Sequence, residues 1–454
     1  MNIDKFIRKK FTIPLWLFRQ GMVYSKERNL VNGLHAYTID ELREYQLRRI
    51  QALLDYAYQN VPFYRSEWKR IGMEPRDIRT FDDFHRIPIL TKPKLRQNTD
   101  ELLSSESANK KLIRSGTGGT TDSPIVLYYD YSRARMKEAE MEYFRKWFRW
   151  VVADKVAFLW GAPQDIPNIT TVRYKIINRL TQNKLFLFSS LMNASIMNDF
   201  IERLNRFKPD ILQGYSNPAY ILAAHILESG TKVHSPKSIV LTAEPCLPHQ
   251  RKIIESAFNS EVFTFYGCRE GGYVGCECDR HMGYHINCTS IYMEFLTDKG
   301  PTRPGELGNI VFTDLYNFDM PFIRYQIGDL GIPTNAMCSC GSNLPLMEVF
   351  AGRETDIFIT PDGDVVPGVS LTGRIIEDCK GIAQLQFIQN KSSELIVNIV
   401  KGKNFSDEDL RQLDMRLNMY FKGKLEIIKK FVNDISKEKS GKTRFCISNV
   451  QKKL

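Results

Sequence analysis

The sequence predicts an α/β protein with a large N-terminal body and a small α+β unit at its C-terminal end. Three observations carry this. Apolar residues at helical spacing fill the first hundred or so positions. From about 110 to 350, short apolar runs alternate with amphipathic helical stretches. Past Gly352-Arg353 the order becomes strand, strand, helix, strand, strand.

In chain order, Leu47, Ile50, Leu53, Leu54 and Ala57 form a helical stripe that Val61-Pro62 ends, because the residue before proline avoids the helical region. Leu112-Ile113 and Ile125-Val126-Leu127 read as two strands around a Gly-rich loop. Val156–Trp160, Ile211-Leu212 and Ile239-Val240-Leu241 read as strands, with helices at Ile196–Phe207 and Ala219–Leu227 between them. This alternation implies largely parallel pairing. Closely spaced strands are expected from about Pro304-Gly305-Glu306. In the small unit, Ile382–Val400 reads as a hairpin turning at Asn390-Lys391-Ser392-Ser393. Ser406, with Asp409 three residues on, caps a helix to about Tyr420. Strands at Leu425–Ile428 and Arg444–Ile447 follow. The expected division is 1–352 and 353–454.

A chain of 454 residues, 43% hydrophobic and 25% charged, supports two or three domains with a substantial core. Its net charge of +11 suits anionic ligands such as nucleotides or coenzyme A, and equally a membrane surface. No helix-turn-helix or aromatic-plus-basic RNA signature accompanies the charge, so no nucleic-acid partner is expected. No run approaches the roughly 20 apolar residues of a spanning helix. Lys5–Lys10 followed by Phe11–Phe18 is not a signal peptide, being interrupted by Pro14 and closed by Arg19. Such a basic, aromatic segment can rest on a membrane surface or pack on the body. Nine cysteines, several in Cys-x-Cys pairs, fit a reducing cytoplasm better than a disulfide framework. Oligomeric state leaves no trace in the sequence, and a homodimer is one option.

The loop Arg114-Ser115-Gly116-Thr117-Gly118-Gly119-Thr120-Thr121-Asp122-Ser123-Pro124 has the chemistry of a phosphate cradle. Glycines let backbone N–H groups approach an anion, and hydroxyls donate to its other oxygens. A Gly/Ser-rich surface turn has the same composition. The familiar cradles do not fit: Thr120 stands where a P-loop needs Lys, and Thr121 where the dinucleotide fingerprint needs its last small residue. Gly441-Lys442-Thr443 looks like the end of a P-loop, but Ser436 replaces its first Gly.

Three further segments bear on the loop. Phe265-Tyr266-Gly267-Cys268-Arg269-Glu270-Gly271 presents an aromatic and a carboxylate in a Gly-flanked turn. Gly305-Glu306-Leu307-Gly308 precedes Phe322-Ile323-Arg324-Tyr325-Gln326-Ile327-Gly328-Asp329, and Ser440-Gly441-Lys442 places a lysine in a polar loop. Each alone has a structural explanation. In this order and spacing, from Tyr45-Gln46 and Val61-Pro62-Phe63-Tyr64 to Lys442, they resemble the adenylate-forming (AMP-forming) ligase superfamily. The branch is that of phenylacetate–CoA ligases and their capsular-polysaccharide-biosynthesis relatives.

The resemblance implies an N-terminal adenylation domain and a mobile C-terminal lid. It also implies an enzyme that activates a carboxylic acid with ATP and magnesium, then passes the acyl group to coenzyme A or to an amine or sugar. By the same match, Ser115, Gly116, Thr117, Gly118, Gly119, Thr120 and Thr121 hold phosphates, and Tyr266 beside Gly267 stacks on adenine. Glu270 binds magnesium, Asp329 takes the ribose hydroxyls with Arg324 in the same segment, and Ala243-Glu244-Pro245 forms a wall beside adenine. Arg353 lies in the hinge, and Lys442 is the catalytic lysine. A non-catalytic nucleotide-binding subunit is the alternative from another class. Trp160, Gly161, Gln213, Gly214, Tyr215 and Tyr273 are expected to border the acid's pocket, at strand ends or beside the adenine motif; core packing explains Trp160 and Tyr215 equally well. The loop departs from the family's frequent Gly-Lys-Pro ending, reading Asp122-Ser123-Pro124.

Two clusters, Cys276-Glu277-Cys278-Asp279-Arg280-His281-Met282-Gly283-Tyr284-His285 and Cys338-Ser339-Cys340-Gly341, have zinc-ligand chemistry. Zinc-bearing members of the resembled family select Cys278, His285, Cys338 and Cys340, with His281 and Cys276 as alternates. Four protein ligands would make such a zinc structural.

Overall fold

The computed structural model describes residues 3–116, 125–160, 169, 171–189, 192–353, 357–368, 371, 375, 379, 381–402, 404–436 and 444–450. The front end is helical: α1 (Ile3–Ile7), a π-helical turn (Arg8–Thr12), α2 (Ile13–Arg19), α3 (Ser25–Leu34), α4 (Ile39–Asn60), α5 (Pro62–Arg70), α6 (Phe81–Phe84) and α7 (Lys92–Gln97). α4 starts where Thr38 accepts the Glu41 N–H and the Glu41 carboxylate accepts the Thr38 N–H, a reciprocal cap. It ends at Val61, and Pro62 opens α5. Leu42, Ile50, Leu53, Leu54 and Ala57 of α4 are buried, and Leu47 lies at the margin of that stripe.

The body follows: β1 (Ile113–Gly116), β2 (Val126–Tyr129), α8 (Tyr131–Trp147), β3 (Val156–Trp160), α9 (Val172–Leu180), β4 (Lys184–Phe188), α10 (Ala194–Phe207), β5 (Ile211–Tyr215), α11 (Ser216–Ser229), β6 (Ser238–Thr242), α12 (Pro248–Phe258) and β7 (Val262–Cys268). Then come β8 (Gly272–Glu277), β9 (Tyr284–Ile286), β10 (Ile291–Thr297), β11 (Gly300–Pro301), β12 (Gly308–Asp314), β13 (Tyr325–Thr334) and β14 (Leu346–Arg353). β1 and β2 pair antiparallel, Gly116 opposite Val126. The other strands form one sheet in the order β11-β10-β12-β13-β14-β9-β8-β7-β6-β5-β3-β4. Strands β3 to β7 run parallel, and the rest pair antiparallel. Leu204 of α10 and Leu222 of α11 pack with Ala157 and Leu159 of β3 into a core.

The expectation of closely spaced strands from about residue 304 is corrected here: that style begins at Val262, where β7 pairs with β6 on one side and β8 on the other. Both faces of β7 and β8 are buried, so no polar alternation marks them in the sequence.

The small unit holds β15 (Ile357–Ile359), β16 (Val365–Pro367), β17 (Ile382–Gln389), β18 (Glu394–Lys401), α13 (Asp407–Phe421), β19 (Glu426–Phe431) and β20 (Cys446–Ser448). Its sheet has the order β19-β18-β17-β20. Ser406 caps α13 reciprocally with Asp409, whose carboxylate also accepts the Gly381 N–H. Leu385, Val397, Leu413, Leu417 and Phe421 build a core of its own.

Candidate active site

Parallel strands end together, and the C-terminal edge of such a sheet is where open α/β folds bind ligands. Trp160 closes β3, Gly214-Tyr215 close β5, Ala243 follows β6, and Tyr266 to Cys268 close β7. Trp160 and Tyr215 meet at this edge with ring centroids 4.6 Å apart and ring planes tilted by 48°. Ala243 has φ +72°, a left-handed conformation that costs an alanine about 1–2 kcal/mol. The Glu244 carboxylate accepts the Asn217 N–H at 3.1 Å, and its carbonyl accepts the Ser216 hydroxyl at 2.9 Å. Residues 243–245 are thus tied to the start of α11, where a negative charge is favoured.

β7 turns into β8 through Arg269, Glu270 and Gly271. Gly267 is needed there, since a Cβ would come within 2.9 Å of the Gly272 carbonyl, and Gly272 has φ +83°. Tyr266 donates its hydroxyl to Asp329 of β13 at 2.7 Å. Tyr325, at the start of β13, donates its hydroxyl to Glu270 at 3.2 Å. Burial first, then Asp329, holds the Tyr266 hydroxyl well above the ordinary tyrosine range, so it remains a donor. Burial and then Glu270 raise the Cys268 thiol in the same way. Asp329 lies opposite Arg353 across β13 and β14, so the expected hinge begins one strand from this acid. The structure therefore gathers Tyr266, Gly267, Glu270 and Asp329 into one site.

Helix α8, which continues from β2, clamps the Glu270 turn from behind. Arg133 donates to the Gly271 carbonyl at 3.0 Å, and Lys137, one turn on, donates to the carbonyls of Arg269 and Glu270 at 3.2 and 3.0 Å. Arg133 is itself buried against Asp314 at 2.8 Å and Glu140 at 3.4 Å. Lys137 lies against Tyr129 of β2, 4.4 Å from its ring centroid, so one side chain touches both the loop hairpin and the carboxylate turn. Sequence reading missed Arg133, Lys137 and Tyr325. The i, i+4 cation pair on the helix after the Gly-rich loop was the signal available.

Other expected residues sit differently. Arg324 is buried, bonds Glu294 at 2.8 Å, and donates to the carbonyls of His85 and Ile87, so its guanidinium joins the front end to β10. Tyr273 is core, its ring 4.3 Å from that of Phe265. Gln213 is buried within β5, and a Cβ on Gly214 would press on Leu159 at 3.0 Å. Ser115 and Gly116 end β1; Thr117 to Thr121, Gly161 and Lys442 lie outside the described residues. Tyr45, Gln46 and Tyr64 serve as scaffold. Gln46 donates to the Cys288 and Ile291 carbonyls, and Tyr64 donates to the Pro321 carbonyl while accepting the Ile323 N–H.

A second cluster lies at the far end of β8. One ligand atom each from Cys278, His285, Cys338 and Cys340 falls within 4.8 Å of the others. Cys278 Sγ is 3.5 Å from Cys338 Sγ, and Cys340 Sγ is 3.4 Å from His285 Nε2. His285 Nδ1 lies 3.3 Å from the Leu344 carbonyl, the second bond that orients a ligating imidazole. Three thiols and one imidazole fit a tetrahedral zinc. The alternates are used elsewhere: His281 lies between Glu261 and Glu277 at 3.1 and 3.0 Å, and Cys276 is buried in the main core.

Residues 358–449 match the family model described as the CapK C-terminal domain. Protein CapK of Staphylococcus aureus is 26% identical to this chain over 424 residues, 91% of this chain and 90% of that protein. Phenylacetate-coenzyme A ligase of Thermus thermophilus is 27% identical over 342 residues, 72% of this chain and 74% of that enzyme. In fold, a crystal structure of 2-hydroxyisobutyryl-CoA ligase in the postadenylation state aligns with a TM-score of 0.76 at 18% identity, covering 92% of this chain and 91% of that one.

Proposed function

We propose that this chain, a homologue of CapK and of phenylacetate–CoA ligases built on the adenylate-forming ligase fold, activates a carboxylic acid with ATP and transfers the acyl group to coenzyme A. The observation that carries this reading is the convergence of Tyr266, Glu270, Tyr325 and Asp329 through two hydrogen bonds at the C-terminal edge of the parallel strands.

A substrate carboxylate oxygen attacks the α-phosphorus of ATP, the bond to the bridging oxygen breaks, and pyrophosphate leaves. The nucleophile is already ionised, so charge stabilisation matters more than proton removal. Tyr266 offers a ring for adenine, Asp329 accepts from the ribose hydroxyls, and residues 115–121 donate to phosphates. Glu270 is a carboxylate only 3% exposed, with the hard oxygen chemistry magnesium takes, and magnesium bound there would offset phosphate charge. Lys442, on the small unit, would bring a cation to the reacting oxygens, and rotation about Arg353 would withdraw it. The thiol sulfur of coenzyme A then attacks the acyl carbon, AMP departs, and the thiol proton is released. Zinc held by Cys278, His285, Cys338 and Cys340 would be structural, tying the loop after β13 to the end of β8. Trp160 and Tyr215 give the edge an aromatic border suited to an aryl or apolar acid.

Acid-dependent ATP–pyrophosphate exchange over aryl, fatty and amino acids tests the first step, and thioester formation with coenzyme A tests the second. Lys442→Ala is expected to cut exchange by about 100-fold or more with the fold intact. Binding of ATP without exchange for any acid would instead identify a non-catalytic nucleotide-binding subunit. One observation favours a second acceptor: the CapK likeness spans 91% of this chain, against 72% for the phenylacetate–CoA ligase, and the small unit matches the CapK model. Exchange without thioester, but with acyl transfer to an amine or a sugar, would select that reading.

A further inference from the structure

The first helical run of the chain leaves its longest apolar stripe in solvent. Ile3, Ile7, Phe11, Leu15 and Phe18, at three- and four-residue spacing, form one stripe, and all are 45–74% exposed. The opposite face carries polar groups together with Ile13, Trp16 and Leu17, which are half-buried. Lys5 pairs with the buried Asp154, Arg8 is buried and bonds Asp4, and Thr12 donates its hydroxyl to the Leu180 carbonyl. A helix that only packed on its own domain would turn the apolar stripe inward.

Leu180 ends α9, which buries none of its residues. Val172, Ile176 and Leu180 form a second stripe, 51–72% exposed. The Thr12–Leu180 hydrogen bond joins the two helical segments at this corner. Lys9, Lys10 and Arg19 of the first segment and Arg173, Lys175 and Arg179 of α9 are all exposed. Among the described residues of these two segments, 3–20 and 171–189, Asp4 is the one acid. A second copy docking here about a two-fold axis would set this positive surface against itself. A bilayer rich in anionic headgroups offers both what the apolar stripes need and what the cations need. No helix among the described residues is long and apolar enough to cross a membrane.

We infer that α1 to α2 and α9 together form a docking surface for an anionic lipid bilayer, lying in the headgroup region with both apolar stripes inserted.

Co-sedimentation of the full chain with phosphatidylcholine vesicles, with and without phosphatidylglycerol, tests the inference. Binding is expected with the anionic vesicles, weakening steeply with salt. Lys9→Glu with Lys10→Glu should lower affinity at least about tenfold. Phe11→Ser with Phe18→Ser, and separately Val172→Ser with Ile176→Ser, should each do the same. These side chains are exposed, so circular dichroism and melting should match the parent, showing that loss of binding is not loss of fold. No vesicle binding, equal binding to neutral and anionic vesicles, or undiminished binding of both apolar variants would overturn the inference. So would a stable dimer that Phe11→Ser with Phe18→Ser dissociates while vesicles are ignored.

Discussion

Tyr266 on β7 and Asp329 on β13 share a 2.7 Å hydrogen bond although their strands are not neighbours in the sheet. The sheet curls enough to bring the end of its parallel half against its antiparallel half. The two groups expected to meet adenine and ribose are thereby set by one bond before any ligand arrives.

Tyr266→Phe keeps the ring and removes that bond. Loss of a hydrogen bond to a charged acceptor is worth about 1.5–3 kcal/mol, and without it Asp329 must be ordered by the ribose itself at the expense of ATP binding energy. The expected result is a roughly tenfold rise in KM for ATP with kcat changed by about twofold or less. Initial-rate exchange kinetics check it.

Some features of the fold and of the two side-chain clusters were legible because their signals are local in the chain. Tyr266 to Glu270 form one turn, Ser406 reads with Asp409, and Cys338 reads with Cys340. Arg324 was not, because its partner Glu294 is on another strand and its other partners are the His85 and Ile87 carbonyls. Lys137 escaped for the same reason: it holds main-chain carbonyls, and a carbonyl leaves no mark in a sequence. The start of the strand-rich region was misplaced because strands buried on both faces lose their alternation.

Arg324 gives a test that separates scaffold from site. Its guanidinium is buried between Glu294 and two carbonyls, and lysine cannot reproduce that fork. Arg324→Lys should destabilise by about 2–4 kcal/mol, by analogy with breaking a buried ion pair. KM for ATP in the folded fraction should stay within about twofold of the parent. A large rise in KM without lost stability would return Arg324 to the nucleotide.

The cysteine cluster predicts one zinc per chain. Cys338→Ser should lose the metal and lower Tm by about 5–10 °C, as removal of a structural metal worth several kcal/mol does in a chain of this size. Cys276→Ser and His281→Ala should keep it. Metal analysis beside a melting curve decides between the four chosen ligands and the alternates.

Lys137 links the lysine clamp to pH. Burial, then the neighbouring Arg133, holds its ammonium down to about 8, while Asp314, Cys268 and Glu140 pull the other way. Below that pH the ammonium grips the carbonyls of Arg269 and Glu270 with a full charge; above it the bonds are those of a neutral amine, weaker by about half. If the turn sets Glu270 for magnesium, the magnesium concentration giving half-maximal exchange should rise several-fold as pH passes through about 8. Lys137→Arg keeps its charge and should remove that alkaline limb, whereas Lys137→Met should show the weakened behaviour at every pH. Stability runs the opposite way. The folded lysine has lost its proton above about 8, while the unfolded one keeps it to about 10.5, so the folded state gains on the unfolded as pH rises between them. Wild type should therefore gain stability relative to Lys137→Met over the same interval in which its magnesium response worsens. Parallel melting and exchange titrations would show these opposed trends, and a common trend would mean that Lys137 acts on the fold alone.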